Sequence, residues 1–195
     1  YINEIANLCE EVGADVHQVA KAMGQDGRIS SKFLHPGPGF GGSCFPKDIE
    51  ALYALGKEKN IELNTIDATI KTNKNQKKRI LNKLLRLLNN QVTGKKIAVL
   101  GLSFKPNTDD IRESPSIYII SELSKLGAVV DAYDPVAIEN FKSMHQNINY
   151  SGTWKECVKD ADACIVLTEW NEFRGMDLNE LKSLLKTPIL IDAKN

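Results

Sequence analysis

The chain has 195 residues, enough to bury a sizeable core as one large or two small domains, and its 25 basic side chains are balanced by 25 acidic ones. That neutrality argues against a nucleic-acid or anionic-membrane partner, and apolar runs such as 163–167 and 189–191 are far too short to cross a bilayer. The four cysteines, Cys9, Cys44, Cys157 and Cys164, lack metal-ligand spacing, and no secretory signal pattern is visible, so a reduced, cytoplasmic protein without a metal centre is expected.

In chain order, Ile5, Leu8, Cys9 and Val12 recur at helical spacing, with Gly13 as a natural stop. Asp15 reads as the cap of a second short helix carrying Val16, Val19, Ala20 and Met23 and ending at Gly24. Residues 25–43 show no sustained period and read as a long loop, of a kind usually functional or mobile. Ile49, Leu52, Tyr53 and Leu55 then mark a helix with Gly56 as its stop. A longer helix starts near Asn64 and carries Ile66, Ile70, Ile80, Leu81, Leu84, Leu85 and Leu88. Its apolar stripe needs a partner, and an adjoining domain, a second subunit and an ordinary core are all candidates.

From residue 94 the rhythm changes. Short apolar runs at 97–101, 129–133, 148–150, 163–167 and 189–191 alternate with helical stretches, the pattern of a parallel, doubly wound sheet. The expected organisation is an α/β chain, with an all-helical region over residues 1–93 and a Rossmann-like domain over residues 94–195. Ligands of such sheets bind outside the carboxyl ends of the strands. That points to residues 103–112, Asp134 and the run Thr168-Glu169-Trp170, whose Trp170 reads equally well as core packing.

At the centre stands Gly37-Pro38-Gly39-Phe40-Gly41-Gly42-Ser43-Cys44-Phe45-Pro46-Lys47-Asp48, an open loop feeding a helix that begins near Pro46. Glycines let backbone N–H groups approach a ligand, while the positive helix end and Lys47 favour a thiolate at Cys44. Asp48, in the first helical turn, stands close enough to position a water or a proton. The same string also reads as a glycine-rich turn with a small buried cysteine and an Asp that complements the helix dipole. Arg28, Lys105 and Arg112 lie in loops where a cation can meet a phosphate or stay solvated. His35, between Leu34 and Pro36, reads as a contact residue rather than a base.

Three blocks occur here in one order: Asp26-Gly27-Arg28-Ile29 with Phe33-Leu34-His35-Pro36, the string over residues 37–48, and Gly101-Leu102-Ser103-Phe104-Lys105-Pro106 with Asp109-Asp110-Ile111-Arg112-Glu113-Ser114-Pro115. In them the chain resembles, over nearly its whole length, the UDP-glucose 6-dehydrogenase family, a branch of the UDP-glucose/GDP-mannose dehydrogenases. The resemblance implies an NAD-dependent, four-electron oxidation of UDP-glucose to UDP-glucuronate. Cys44 would carry a thiohemiacetal and then a thioester, and Asp48 would act as acid/base or water-positioner. It further implies that Phe33, Leu34, His35, Pro36, Gly37, Gly41, Phe104 and Lys105 contact the nucleotide-sugar, and that Arg28 reaches the substrate of a neighbouring subunit. Lys47 and Arg112 would meet NAD, and the long helix would build a homodimer.

Members of that family also carry a Gly-x-Gly-x-x-Gly dinucleotide-binding domain, a motif missing from this sequence. Tyr1 already lies in a helical pattern and the last residues directly follow a strand, so both ends read as cuts, and the chain by itself is expected to bind nucleotide-sugar weakly and not turn over. The alternatives are a GDP-mannose or UDP-N-acetylmannosamine dehydrogenase, and a nucleotide-sugar-binding dimerisation module without chemistry of its own.

Overall fold

The computed structural model describes residues 1–194. Four helices come first: α1 Ile2–Val12, α2 Val16–Gly24, α3 Phe45–Glu58 and α4 Asn64–Leu87. Strands and helices then alternate: β1 Lys96–Leu100, α5 Pro115–Lys125, β2 Val129–Tyr133, α6 Ile138–Lys142, β3 Asn149–Tyr150, α7 Trp154–Val158, β4 Ala163–Val166, α8 Asn171–Arg174, α9 Leu178–Leu184 and β5 Leu190–Asp192.

Local chemistry sets most of these boundaries. Gly13 closes α1 in the left-handed conformation, and the Asp15 carboxylate caps α2 by accepting the His17 N–H at 2.8 Å. α3 opens with Pro46 in its first turn, where the missing N–H costs nothing. Gly56 does not stop α3. The helix runs on to Glu58, Asn60 takes the left-handed turn at φ 55, and the Ile61 N–H reaches back to the Gly56 carbonyl at 2.8 Å. Gly56 is instead a packing position, where a Cβ would lie 2.8 Å from Leu63 Cδ1.

The five strands form one parallel sheet in the order β3-β2-β1-β4-β5, with Ile97 beside both Val130 and Ala163. Alternation along β1 divides the core into two layers. Ile97 and Val99 join Ile119, Ile120, Leu123 and Phe141 on one face; Ala98 and Leu100 join Trp154, Val158, Phe173 and Leu181 on the other. The partner of the long helix is this sheet: Ile80, Leu81 and Leu84 of α4, with Leu88 just beyond it, belong to the first layer. A smaller cluster of Ile2, Cys9, Val16, Ala20 and Leu34 holds α1, α2 and the following loop together.

Among the described residues no helix is long and apolar enough to cross a membrane, and no group of three or more His, Cys, Asp or Glu could hold a metal ion. Leu84 has no exposed surface, so Leu84→Ala leaves a cavity between α4 and the sheet. The expected cost is about 3 kcal/mol, read as a lower urea midpoint at an unchanged m-value.

Candidate active site

The chain leaves β1 toward one side of the sheet and β4 toward the other, which puts the topological switch point at the carboxyl ends of these neighbouring strands. Asp134, 1% exposed just after β2, ties this edge together. Its Oδ2 accepts the Leu102 and Ser103 N–H groups (2.8 and 3.0 Å), the Ser103 hydroxyl (3.1 Å) and the Trp170 indole N–H (3.1 Å). Its Oδ1 accepts the Val136 and Ala137 N–H groups at 3.0 and 2.9 Å. The Thr168 hydroxyl adds a bond to the Ser103 carbonyl at 2.6 Å. Asp134, Thr168 and Trp170 are therefore braces of the sheet edge.

The glycine loop is suspended between this edge and the helices. From the helical side, the Asn73 carboxamide of α4 accepts the Phe40 N–H at 2.8 Å and donates to the Phe40 carbonyl at 3.0 Å. Asn3 of α1 accepts the Gly37 N–H at 2.8 Å, and Gln76 of α4 donates to the Gly37 carbonyl at 3.1 Å. Gln76 is held in turn by Asn7 at 3.0 Å. From the sheet side, the Arg112 carbonyl accepts the Gly42 N–H at 2.8 Å. The approach is so close that a Cβ on Gly41 would stand 2.4 Å from the Glu113 carbonyl oxygen. On Gly42, at φ +83, it would stand 2.8 Å from the Phe104 ring.

This suspended loop delivers Cys44 to the N-cap of α3, where its carbonyl accepts the Asp48 N–H at 3.0 Å. Cys44 is exposed, which rules out the buried structural cysteine that the sequence also allowed. The Ser43 hydroxyl lies 3.8 Å from its sulfur, and Lys47 and Asp48, both well exposed, face each other at 3.6 Å. The Asp110 carboxylate, hydrogen-bonded to it, holds the Arg112 guanidinium above its usual range. The other three cysteines are buried; burial pushes the Cys157 thiol up to about 12 and drives Cys164 up as well.

Beside the loop opens a cleft of about 1150 Å³ between the helical residues and the sheet edge. Of the residues singled out in the sequence, Phe33, Leu34, His35, Pro36, Gly37 and Phe104 line it, with Leu34 and Pro36 themselves buried. Arg28, Gly41, Cys44, Lys47, Asp48, Lys105 and Arg112 stand outside the lining. Cys44 is next in chain to Phe45, which does line the cleft and whose ring packs on Phe33 and Phe40 at 6.5 and 5.9 Å. Arg28 and Arg112 project outward, each gripped by the aspartate two residues earlier, through Nη2–Oδ2 contacts of 2.6 and 2.7 Å. Lys105 lies over the Phe104 ring at 5.4 Å.

The sequence reading passed over Asn3, Asn73 and Gln76. The available signal was the polar break in the apolar stripe of the long helix, with Asn73, Gln76 and Ile80 at positions i, i+3 and i+7 of one face. It also passed over the Lys194 ammonium, which meets the buried Glu169 Oε2 at 2.6 Å in the cleft lining without an aligned hydrogen bond.

The profile of the UDP-glucose/GDP-mannose dehydrogenase family, central domain, matches residues 1–75, and that of the family's UDP binding domain matches residues 98–195. A UDP-glucose 6-dehydrogenase of Rhizobium meliloti (strain 1021) is 47% identical over 195 residues, covering 100% of this chain and 45% of the relative. One of Bacillus subtilis (strain 168) is 47% identical over 196 residues, covering 100% and 42%. The solved structure of a UDP-glucose dehydrogenase from the hyperthermophilic archaeon Pyrobaculum islandicum superposes with a TM-score of 0.90 at 31% identity, over 100% of this chain and 43% of that one. The chain thus spans less than half the length of these relatives.

Iodoacetamide at pH 8 is expected to label native protein at Cys44 alone, because the other three thiols are buried and a thiol raised to about 12 carries almost no thiolate. Peptide mass spectrometry, with the denatured protein labelled at all four cysteines as reference, reads the result. Comparable native labelling at Cys157 would contradict the burial described here.

Proposed function

Since the chain belongs to the UDP-glucose/GDP-mannose dehydrogenase family, we propose that it is the cysteine-bearing and nucleotide-sugar-binding portion of an enzyme that oxidises UDP-glucose to UDP-glucuronate. The observation that carries this reading is an exposed thiol on a tightly suspended glycine loop, beside a large cleft at the switch point of a doubly wound sheet. Residues 1–93 serve as the region that positions the thiol, and residues 94–195 as the domain that takes the uridine diphosphate.

The cleft suits such a ligand. Phe33, Phe40, Phe45 and Phe104 offer aromatic faces for base or sugar, His35 and the Gly37 backbone are available for contact, Lys105 supplies phosphate charge from the rim, and the outward-projecting Arg28 is left for the nucleotide-sugar of a neighbouring subunit. Pairing of two copies belongs to the same reading. The second half of α4 is consumed by the sheet, and Leu8 and Val12 of α1 with Leu52 and Leu55 of α3 remain exposed as apolar surface for a second subunit.

NAD fits these residues only at its edge. Strand order alone would allow a dinucleotide, yet Asp134, the acid at the end of β2 where a ribose diol is held in dinucleotide folds, has both oxygens committed to internal donors. α5 also begins only at Pro115, well after β1 ends at Leu100, so no helix N-terminus follows the strand directly. Lys47 and Arg112, exposed beside Cys44, are the groups of this chain suited to a bound cofactor's phosphates or amide. NAD, when bound, supplies the hydride acceptor.

This chain's residues explain how a four-electron oxidation proceeds in one place. Loss of a hydride and a proton turns the sugar's primary alcohol into an aldehyde, which has no further hydride to yield until a nucleophile adds to it. The Cys44 thiolate adds, and with one proton gained by the oxygen a thiohemiacetal forms that again carries a transferable hydrogen. Loss of that hydrogen as hydride, and of the hydroxyl proton, leaves a thioester. Asp48, one helical turn from Cys44, accepts a proton from the attacking water, and the carboxylate leaves as the thiolate returns. Overall one alcohol and one water give a carboxylate, two hydrides and three protons.

The full-length protein bearing this sequence, given UDP-glucose and NAD, is expected to form two NADH per sugar; no turnover with UDP-glucose but turnover with GDP-mannose would redirect the substrate assignment. Cys44→Ala is expected to lower carboxylate formation by about 10³-fold or more, and Asp48→Asn by about 10²-fold, with KM for UDP-glucose little changed in both. Unimpaired product formation by Cys44→Ala would leave the chain a binding module.

A further inference from the structure

The strongest unassigned feature is the side of α4 that carries Asn73, Gln76, Ile80 and Leu84. At spacings of three, four and four residues these form a single stripe along about 16 Å of helix. Its chemistry changes half-way. Ile80 and Leu84 are packed in the core of the sheet, whereas Asn73 and Gln76 turn their carboxamides onto the main chain of the glycine loop. One rigid rod therefore sets the distance between the sheet and the loop that bears the thiol.

Asn73 occupies the critical point of this arrangement. Among the described residues the loop hangs at Gly37 from Asn3 and Gln76, at Gly42 from the Arg112 carbonyl, and between them only at Phe40, through the two Asn73 bonds of 2.8 and 3.0 Å. Glycines 39 and 41 flank Phe40 and have no stiffness of their own. Gly39, at φ +106, passes so near that a Cβ there would lie 2.7 Å from Asn73 Oδ1. Phe40 in turn packs on Phe45, the residue after Cys44, at 5.9 Å between ring centroids. The position of the sulfur is thus transmitted from the Asn73 amide through the Phe40 backbone and the Phe40–Phe45 ring contact.

The helix itself has no use for an asparagine here: in mid-helix Asn is a weaker helix former than Ala, and its side chain bonds to nothing within α4. We infer that Asn73 is a positioning residue for the Cys44 nucleophile, holding the thiol loop at a fixed height above the sheet by gripping both polar groups of the Phe40 peptide backbone. The inference rests on the reading of Cys44 as the nucleophile.

The test uses the full-length enzyme with UDP-glucose and NAD, and compares Asn73→Ala, Asn73→Asp and Cys44→Ala with the parent. Misplacing a reacting group by about 1 Å costs about 100-fold, so Asn73→Ala is expected to lower kcat by about 10- to 100-fold while KM for UDP-glucose stays within about two-fold. Its thermal midpoint should hold within a few degrees, because the better helix former offsets part of the lost bonding. Asn73→Asp keeps the acceptor for the Phe40 N–H and the shape of the side chain, and should recover part of the lost kcat. Parental kcat in Asn73→Ala, or a loss confined to KM, overturns the inference. Should Asn73→Ala fail to fold, Asn73→Asp decides alone: a several-fold lower kcat at parental KM supports it, and parental kcat overturns it. Cys44→Ala separates the two levels, since full activity there removes the nucleophile reading, whereas inactive Cys44→Ala beside a fully active Asn73→Ala removes only the role of Asn73.

Discussion

Everything chemical in this chain depends on a loop that cannot hold its own shape. Gly37, Gly39, Gly41 and Gly42 give residues 37–42 the freedom to thread between α4 and the loop after β1, and that freedom would leave the Cys44 thiol without a fixed place if it persisted. Bonds made by other parts of the chain remove it: amides of Asn3, Asn73 and Gln76 on one side and the Arg112 carbonyl on the other. Such bonds contribute only about 1 kcal/mol each in net stability. Their effect is geometric, since they choose one conformation out of the many open to a glycine-rich segment.

The sheet edge shows the same economy with a different chemistry. One buried carboxylate, Asp134, gathers six donors from the segments following β1, β2 and β4. A buried acceptor with that many partners is well satisfied, and leaving its donors unmatched would be costly. The segment after β1 therefore has a rigid base, and Phe104, Arg112 and Glu113, which meet the glycine loop, inherit that rigidity. The helical and sheet portions are joined through the α4 stripe at one end and through this loop-to-loop seam at the other, and the thiol sits at the seam.

Charge plays a lesser part in holding the fold. Arg28 and Arg112 are each clamped by an aspartate two residues before them, with Nε–Oδ1 distances of 3.0 Å in both, and the arginines hold both carboxyls below the usual range. These pairs are exposed and add little stability. Their consequence is orientation, because a guanidinium already fixed on one edge loses less freedom when its other edge meets an anion. Inside the cleft aromatic and aliphatic surface dominates, and the charged residues of its lining are Lys32, Arg174, Asp192 and the Glu169–Lys194 pair.

Period and punctuation in the sequence were enough to determine the helices from Ile2 to Leu87, the alternating strands after Lys96 and the cap at Asp15, because each rests on neighbours within a few residues, whereas the exposure of Cys44 was left open between two readings. Gly56 was misread as a stop for the converse reason, its place being set by Leu63 in space rather than by the local helix signal. Only the tertiary structure could decide which glycines are compelled by close approach, that Asp134 and Trp170 brace the sheet edge, and that Asn73 and Gln76 hold the loop more than thirty residues before them. Those facts depend on contacts between distant segments, and a polar side chain on a helix looks the same in sequence whether it meets water or a peptide backbone.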